Sequence, residues 1–405
     1  MAVLLLSKPS IDKTKTMKKL SLLLLFTALL FSGCVSYRNG IRLDSPANQS
    51  TVSLLTPVQA QFLALTREER GRLFEDQEFR RHLTSQGCLP NPVTFAWTAW
   101  TDYTSQNFTI EISLSPDFQE KITIRTSKTS ATLSNLEIAR TYYWRVVSGT
   151  QVSPVWSFQT ADRTPRLMKI QGVPNCRDLG GYIAWNGKRV RQGIVFRSAA
   201  LNNDTVVTFK PAPESEKTGE QAPPPVVKSF ALGKSRLNEV TKSYVRDVLG
   251  IHSEIDLRDE FACLGMNASL LGPSVRWFHL PLCPYDELNT EQGKAAVADI
   301  LRVFLDENNY PILFHGSDGK VRTGAVAFIV NALLGVRENE LYKDWEATAF
   351  WDSTPAFNHK DLFRKLYRTF DAYPGQTIQE RVRMYFLAIG FTHEQLRRLR
   401  DLMLD

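Results

Sequence analysis

A chain of 405 residues has room for two or three domains, each able to bury its own core at the usual size of about 100–200 residues. Hydrophobic residues at 43% and charged residues at 22% exclude a wholly disordered, a collagen-like or a polytopic membrane chain. The net charge of +7 is concentrated at the start, where Lys8, Lys13, Lys15, Lys18 and Lys19 stand against Asp12. The remaining charge is too thin for a nucleic-acid surface, so no nucleic-acid partner is expected. Five cysteines without a CxxC pair argue against a zinc site or a dense disulfide framework, and no metal is expected.

From Met17, read as the translation start, two lysines precede an apolar run from Leu20 to Phe31, then Ser32, Gly33 and Cys34. This is the layout of a secretory signal, with an apolar stretch too short for a comfortable membrane span. Its last four residues resemble the bacterial lipobox, although Phe31 stands where Leu is usual. That resemblance makes residues 1–34 a lipoprotein signal peptide and Cys34 the lipidated residue. It implies a lipid-anchored protein of the bacterial cell envelope, periplasmic or surface-exposed, with the membrane as a partner through the anchor.

Between residues 41 and 164 the pattern has mostly period two, in Val93–Trp97, Phe108–Leu114, Lys121–Arg125, Tyr142–Val147 and Val155–Phe158. Polar turn clusters separate these runs, the spacing of an all-β sandwich. One inserted helix is marked by the capping box Thr66-x-x-Glu69, with Gly87 as its stop. The pieces around Trp97, Tyr142 and Trp144 resemble a fibronectin type III domain, in which such aromatics form the core. No chemistry is visible in this segment.

Residues 165–405 alternate strands and helices, the pattern of an α/β domain. A hairpin over Tyr182–Ser198 turns at Asn186-Gly187, a type I′ pattern. Residues 203–229 are rich in Pro, Glu, Lys and Ser and read as a disordered or surface insertion rather than an element of the core. Further on, a strand (residues 311–314) feeds the loop His315-Gly316-Ser317-Asp318-Gly319-Lys320-Val321-Arg322-Thr323-Gly324, and an apolar helix is predicted over Ala325–Leu334. Such a loop is an anion cradle, because amide N–H groups converge at a helix start and Lys320 and Arg322 add full charges.

The ordered segments NCRDLGGY, VRQGIVFRSAAL, IDLRDE and FHGSDGKVRTG resemble the bacterial protein tyrosine/serine phosphatase family of the cysteine-phosphatase superfamily. The resemblance implies an α/β cysteine-phosphatase-like domain after the sandwich, with no cofactor and a phosphate ester or phosphoprotein as ligand. In that family a loop cysteine attacks phosphorus as a thiolate, and an arginine holds the phosphoryl oxygens. Arg322 matches that arginine, Lys320 the loop lysine and Thr323 the hydroxyl beside it. His315, Ser317, Asp318 and Gly319 complete the phosphate loop. Gly316 stands where the nucleophilic cysteine belongs, and Val321 where the loop aspartate belongs. Asp256 is a candidate acid, and Arg177 and Asp178 are candidate supports of the loop.

Three functions stay open at this point. The first is a catalytically impaired member that keeps a phosphate-binding loop. The second is an active phosphomonoesterase with a non-standard nucleophile, although Ser317 shows no adjacent base in the sequence. The third is a cell-surface scaffold whose binding lies in the sandwich. Cys176, Cys263 and Cys283 lie in other segments and read as small buried hydrophobes.

Overall fold

The computed structural model describes residues 40–73, 75–85, 89–99, 107–210, 226–282, 287–351 and 359–405. The leader with Cys34, together with Gly87, Cys88, Cys283 and the middle of the insertion, lies outside the described residues.

The first part of the chain packs two sheets face to face. One holds β1 (Ile41–Ser45), β3 (Val93–Ala99) and β6 (Ser130–Leu133). The other runs in the order β2 (Ser50–Val52), β9 (Trp156–Thr160), β7 (Thr141–Ser148), β4 (Phe108–Ser113), β5 (Ile122–Thr126), with β8 (Gln151–Val152) paired to β7. Alternation along β7 buries Tyr142, Trp144 and Val146 against Phe95, Ile110 and Phe158. Trp97 and Trp144 are both buried core residues, so neither presents a ring to a surface ligand. Tyr142 also anchors its own corner, because its hydroxyl accepts the Glu137 amide at 2.9 Å.

Three helices, not one, separate β2 from β3: α1 (Pro57–Ala64), α2 (Arg67–Leu73) and α3 (Gln77–Ser85). The capping box of Thr66 and Glu69 starts α2, with the Thr66 amide on Glu69 at 2.8 Å. These helices do not belong to the sandwich core. Phe62 and Leu63 pack with Leu167, Ala347 and Phe350 of the second half, and buried Arg70 pairs with Glu346.

The second half is built on one six-stranded sheet. Its order is β10 (Arg166–Leu167), β11 (Arg177–Asp178), β12 (Val195–Ala199), β17 (Ile312–Gly316), β15 (Ser253–Asp256) and β16 (Arg276–His279). The last four strands are parallel, so their C-terminal ends share one edge, where open α/β sheets bind ligands. Around this sheet, α4 (Glu239–Ser243), α5 (Glu291–Leu305), α6 (Val321–Leu334), α7 (Glu338–Glu346), α8 (His359–Thr369), α9 (Ile378–Ala388) and α10 (His393–Met403) follow in chain order. Helix α6 is buried nearly all round, as a helix at the centre of a domain must be. Among the described residues no helix is long and apolar enough to cross a membrane.

Two local expectations need correction. The turn at Asn186-Gly187 is not type I′, which needs two left-handed residues. Only Gly187 is left-handed, at φ 83°, and its amide bonds Ala184 O at 2.9 Å, so Trp185 and Asn186 form an ordinary turn before it. The segment 203–229 is not wholly irregular either. Strand β13 (Val206–Phe209) pairs antiparallel with β14 (Val227–Ala231) as a separate two-stranded ribbon. The apolar residues at its two flanks form these strands, outside the Pro- and Glu-rich middle.

Candidate functional site

The loop after β17 occupies the shared strand edge. Its backbone is fixed from below by two segments that sequence reasoning placed only in part. Gly319 takes φ 71°, and a Cβ there would stand 2.7 Å from the Ser198 carbonyl, so the loop lies directly on the end of β12. Asn175 donates to the carbonyls of Asp318 at 3.2 Å and Gly319 at 3.1 Å. Arg197 donates to the same Gly319 carbonyl at 2.9 Å.

Asp344 of α7 is the hub of this support. It pairs with Arg177 Nε at 3.0 Å and with Arg197, and it accepts the Tyr182 hydroxyl at 3.2 Å. Burial pushes the Asp344 carboxyl up, but the Arg197 and Arg177 guanidiniums beside it leave it below the usual range. Burial and the neighbouring Arg177 bring Arg197 down to about 10. Arg177 therefore supports the loop, through Asn175 at 2.6 Å and through Asp344. Asp178 does not. It holds Arg166 at 2.6 Å and the amides of Gly180 and Gly193, and Arg166 in turn bonds Asn135 O and Leu136 O of the sandwich. Asp178 thus braces the seam between the two halves.

Helix α6 begins at Val321, four residues before the sequence pattern predicts, because no turn residue interrupts it after Lys320. Thr323 consequently sits in the first helical turn. The amides of Ser317, Gly319, Arg322 and Thr323 have no hydrogen-bond partner among the described residues, as expected of a helix start open to an anion. Asp318 already accepts the Lys320 amide at 3.1 Å and lies 3.5 Å from Lys320 Nζ. Lys320 also stands 5.3 Å from the centre of the Trp351 ring. Arg322 reaches Asp259 at 3.4 Å.

Gly316 is buried at the head of this loop, and its backbone is not left-handed. A Cβ built there meets Thr323 Oγ at 3.3 Å and Arg322 Cβ at 3.8 Å. Thr323 Oγ is buried and has no hydrogen-bond partner among the described residues. An unmatched buried hydroxyl costs about 1–3 kcal/mol, so the position facing Gly316 lacks a polar partner that the fold is shaped to receive.

His315 is fully buried and is not available as a base. Its Nε2 lies 2.9 Å from Glu254 and its Nδ1 3.8 Å from Asp256. Burial opposes its protonation, but Asp256 and Glu254 outweigh burial and raise its pKa above 6.5. Asp256 does not fit the role of an acid. It is fully buried and pairs with Arg258 at 2.6 Å, and although burial pushes its carboxyl up, His315 and Arg258 hold it far below the usual range. Glu254, Asp256 and His315 bring donor atoms within 4.8 Å of one another. The carboxylates face opposite ring nitrogens, and Arg258 already neutralises Asp256, so the set does not fit a single cation.

Neither of the two described cysteines rescues the site. Cys176 is buried in an apolar cluster, and the Cys263 thiol donates to Asp256 at 3.3 Å. Burial and that carboxylate push the Cys263 thiol well up, which disfavours a thiolate. Two groups were missed from the sequence. Asp204, at the root of the ribbon, accepts the Ser317 hydroxyl at 3.1 Å, so Ser317 has a carboxylate neighbour after all. Asp259, half-exposed, lies 3.4 Å from Arg322 and adds a second carboxylate beside the loop.

Comparison with known proteins gives one family and a group of partial structural likenesses, among them two phosphatase structures. The model of the tyrosine phosphatase family matches residues 168–209 and 233–405. The core catalytic domain of the PP-IP phosphatase SIW14 from S. cerevisiae, in complex with citrate, is 16% identical with a TM-score of 0.24, covering 31% of this chain and 75% of that one. A Siw14 catalytic core is 12% identical with a TM-score of 0.27, covering 51% and 85%. No curated protein matches.

Proposed function

Because the chain belongs to the tyrosine phosphatase family, we propose that its loop binds the phosphoryl group of a phosphate ester or phosphoprotein without hydrolysing it by the family's thiolate route. The observation that carries this reading is the partnerless hydroxyl of Thr323 facing Gly316. The loop keeps its open amides, Arg322 and Lys320, and its whole support from Asn175, Arg177, Arg197 and Asp344. It lacks the atom that would attack phosphorus at Gly316 and the loop carboxylate at Val321. Without a nucleophile, positioning and electrostatics leave little rate.

One observation favours a second reading, turnover through Ser317. Its hydroxyl donates to Asp204, which also lies 3.2 Å from Arg258. A carboxylate is a weak base toward an alcohol, and Ser317 is offset by one residue from the position where a thiolate attacks, so binding is the better reading. The first half of the chain is read as a fibronectin type III-like partner-binding or spacer module. Its two sheets and the Tyr142 hydroxyl on an upstream amide support that assignment. The leader is read as a lipoprotein signal with Cys34 as the anchored residue, on sequence alone.

The test is a pair of measurements on the full chain. Phosphate or vanadate should raise the thermal midpoint as RT ln(1 + [L]/Kd), and Arg322→Ala should remove the rise. Nitrophenyl phosphate should be hydrolysed no faster than in buffer. Turnover lost in both Ser317→Ala and Asp204→Asn would establish the second reading instead.

A further inference from the structure

The β13–β14 ribbon lies only half inside the family match, which ends with β13 at residue 209 and resumes at 233, after β14. It stands apart from the six-stranded sheet yet is rooted at the anion loop. Asp204 at its base holds Ser317, and the Thr205 amide bonds Ala262 O at 2.9 Å, in the turn that follows Asp259. The ribbon and this turn share an apolar cluster. Phe209 meets Phe261 edge to face at 5.2 Å, and the Phe230 ring and Leu232 both crowd Gly265.

These four side chains remain 38% (Phe209), 50% (Phe230), 56% (Leu232) and 43% (Phe261) exposed. A contiguous group of large apolar side chains left in water at the rim of a binding loop marks a contact site. Phe261 is two residues, at most about 7 Å of backbone, from Asp259, whose carboxylate lies 3.4 Å from Arg322.

We propose that this ribbon makes the site selective for a phosphate monoester with an extended apolar body, the phosphate on the loop and the chain across Phe261, Phe230, Phe209 and Leu232. The proposal rests on the phosphate-binding reading of the loop. A bound alkyl chain removes both its own surface and that of the cluster from water, and each methylene contributes only while it can reach the cluster.

The experiment measures Kd by calorimetry for methyl, butyl and octyl phosphate, each below its micelle concentration, with the full chain and its variants. Octyl phosphate should bind at least about tenfold tighter than methyl phosphate, a conservative figure for a half-exposed contact. Phe230→Ser and Phe261→Ser should erase most of that gain while leaving methyl phosphate unchanged, and Arg322→Ala should weaken the whole series. Neutral vesicles carrying phosphatidic acid distinguish the source: binding to them identifies a membrane lipid, and binding to octyl phosphate alone identifies a soluble ester. A flat series with methyl phosphate still bound, or a gain that survives both Phe variants, would overturn the proposal alone. No binding by any member would overturn the loop reading and this one with it.

Discussion

Replacing Gly316 by Cys restores the missing atom, and the structure sets its cost. The backbone at this position is not left-handed, and the new Cβ meets Thr323 Oγ at 3.3 Å, a contact relieved by a small shift of one hydroxyl. Removing a glycine stabilises by about 0.4–1 kcal/mol through the unfolded chain, whereas added bulk in a packed site costs about 1–3 kcal/mol. The variant should therefore fold with a loss of at most about 2.6 kcal/mol. Its thiol would lie at the start of α6 among unpartnered amides, an environment that lowers a thiol from about 8.5 toward neutrality. Loss of a hydrolase nucleophile can cost about a millionfold in kcat, so even partial recovery is measurable. Nitrophenyl phosphate turnover should rise at least about a thousandfold over the parent chain. Alkyl phosphates should lag, because Val321 donates no proton, and Asp259→Asn in the Gly316→Cys background should widen that lag. A folded, vanadate-binding Gly316→Cys protein with no turnover and a sluggish thiol toward iodoacetate would refute the reasoning.

Asp344→Asn should lower stability by about 3–5 kcal/mol, measured by denaturant midpoint, because it leaves Arg177 and Arg197 buried without their carboxylate; a loss under about 1 kcal/mol would contradict the hub. His315 should make stability pH-dependent. Its folded pKa is raised above 6.5, so the stabilisation is full below about 6.5 and is lost as pH rises through the raised value. The stability difference between the parent and His315→Gln should accordingly be constant below about pH 6.5 and shrink as the pH rises above it, and a difference that stays constant into the alkaline range would count against it. Cys263 should resist iodoacetamide in the native protein and react only on unfolding, read by mass spectrometry, because its thiol is buried on Asp256. Labelling at the unfolded rate would contradict that placement.

The sequence was most legible where one period or one motif carries the structure. The alternation in residues 93–97 and 142–147 coincides with β3 and β7, and the spacing from His315 to Thr323 brings the loop to the strand edge. Charged side chains were less legible, because a partner far along the chain decides each role. Asp256 and Asp178 read as candidates at strand ends, yet Arg258 and Arg166 hold them in buried pairs. Asp344 gave no local clue. It lies on a helix face and meets Arg177 and Arg197 across about 150 residues of chain, a contact that only the closed fold creates. Likewise, α1–α3 read as an interruption of the sandwich, but Phe62 and Arg70 turn their buried sides toward Phe350 and Glu346.

The most direct test of a binding loop without a nucleophile is vanadate calorimetry on the unmodified chain, with nitrophenyl phosphate turnover followed on the same sample. Vanadate should bind at one site, Arg322→Ala should remove that binding, and the ester should release product at the buffer rate. Product release above buffer that vanadate inhibits would contradict the account, as would the absence of any Arg322-dependent binding.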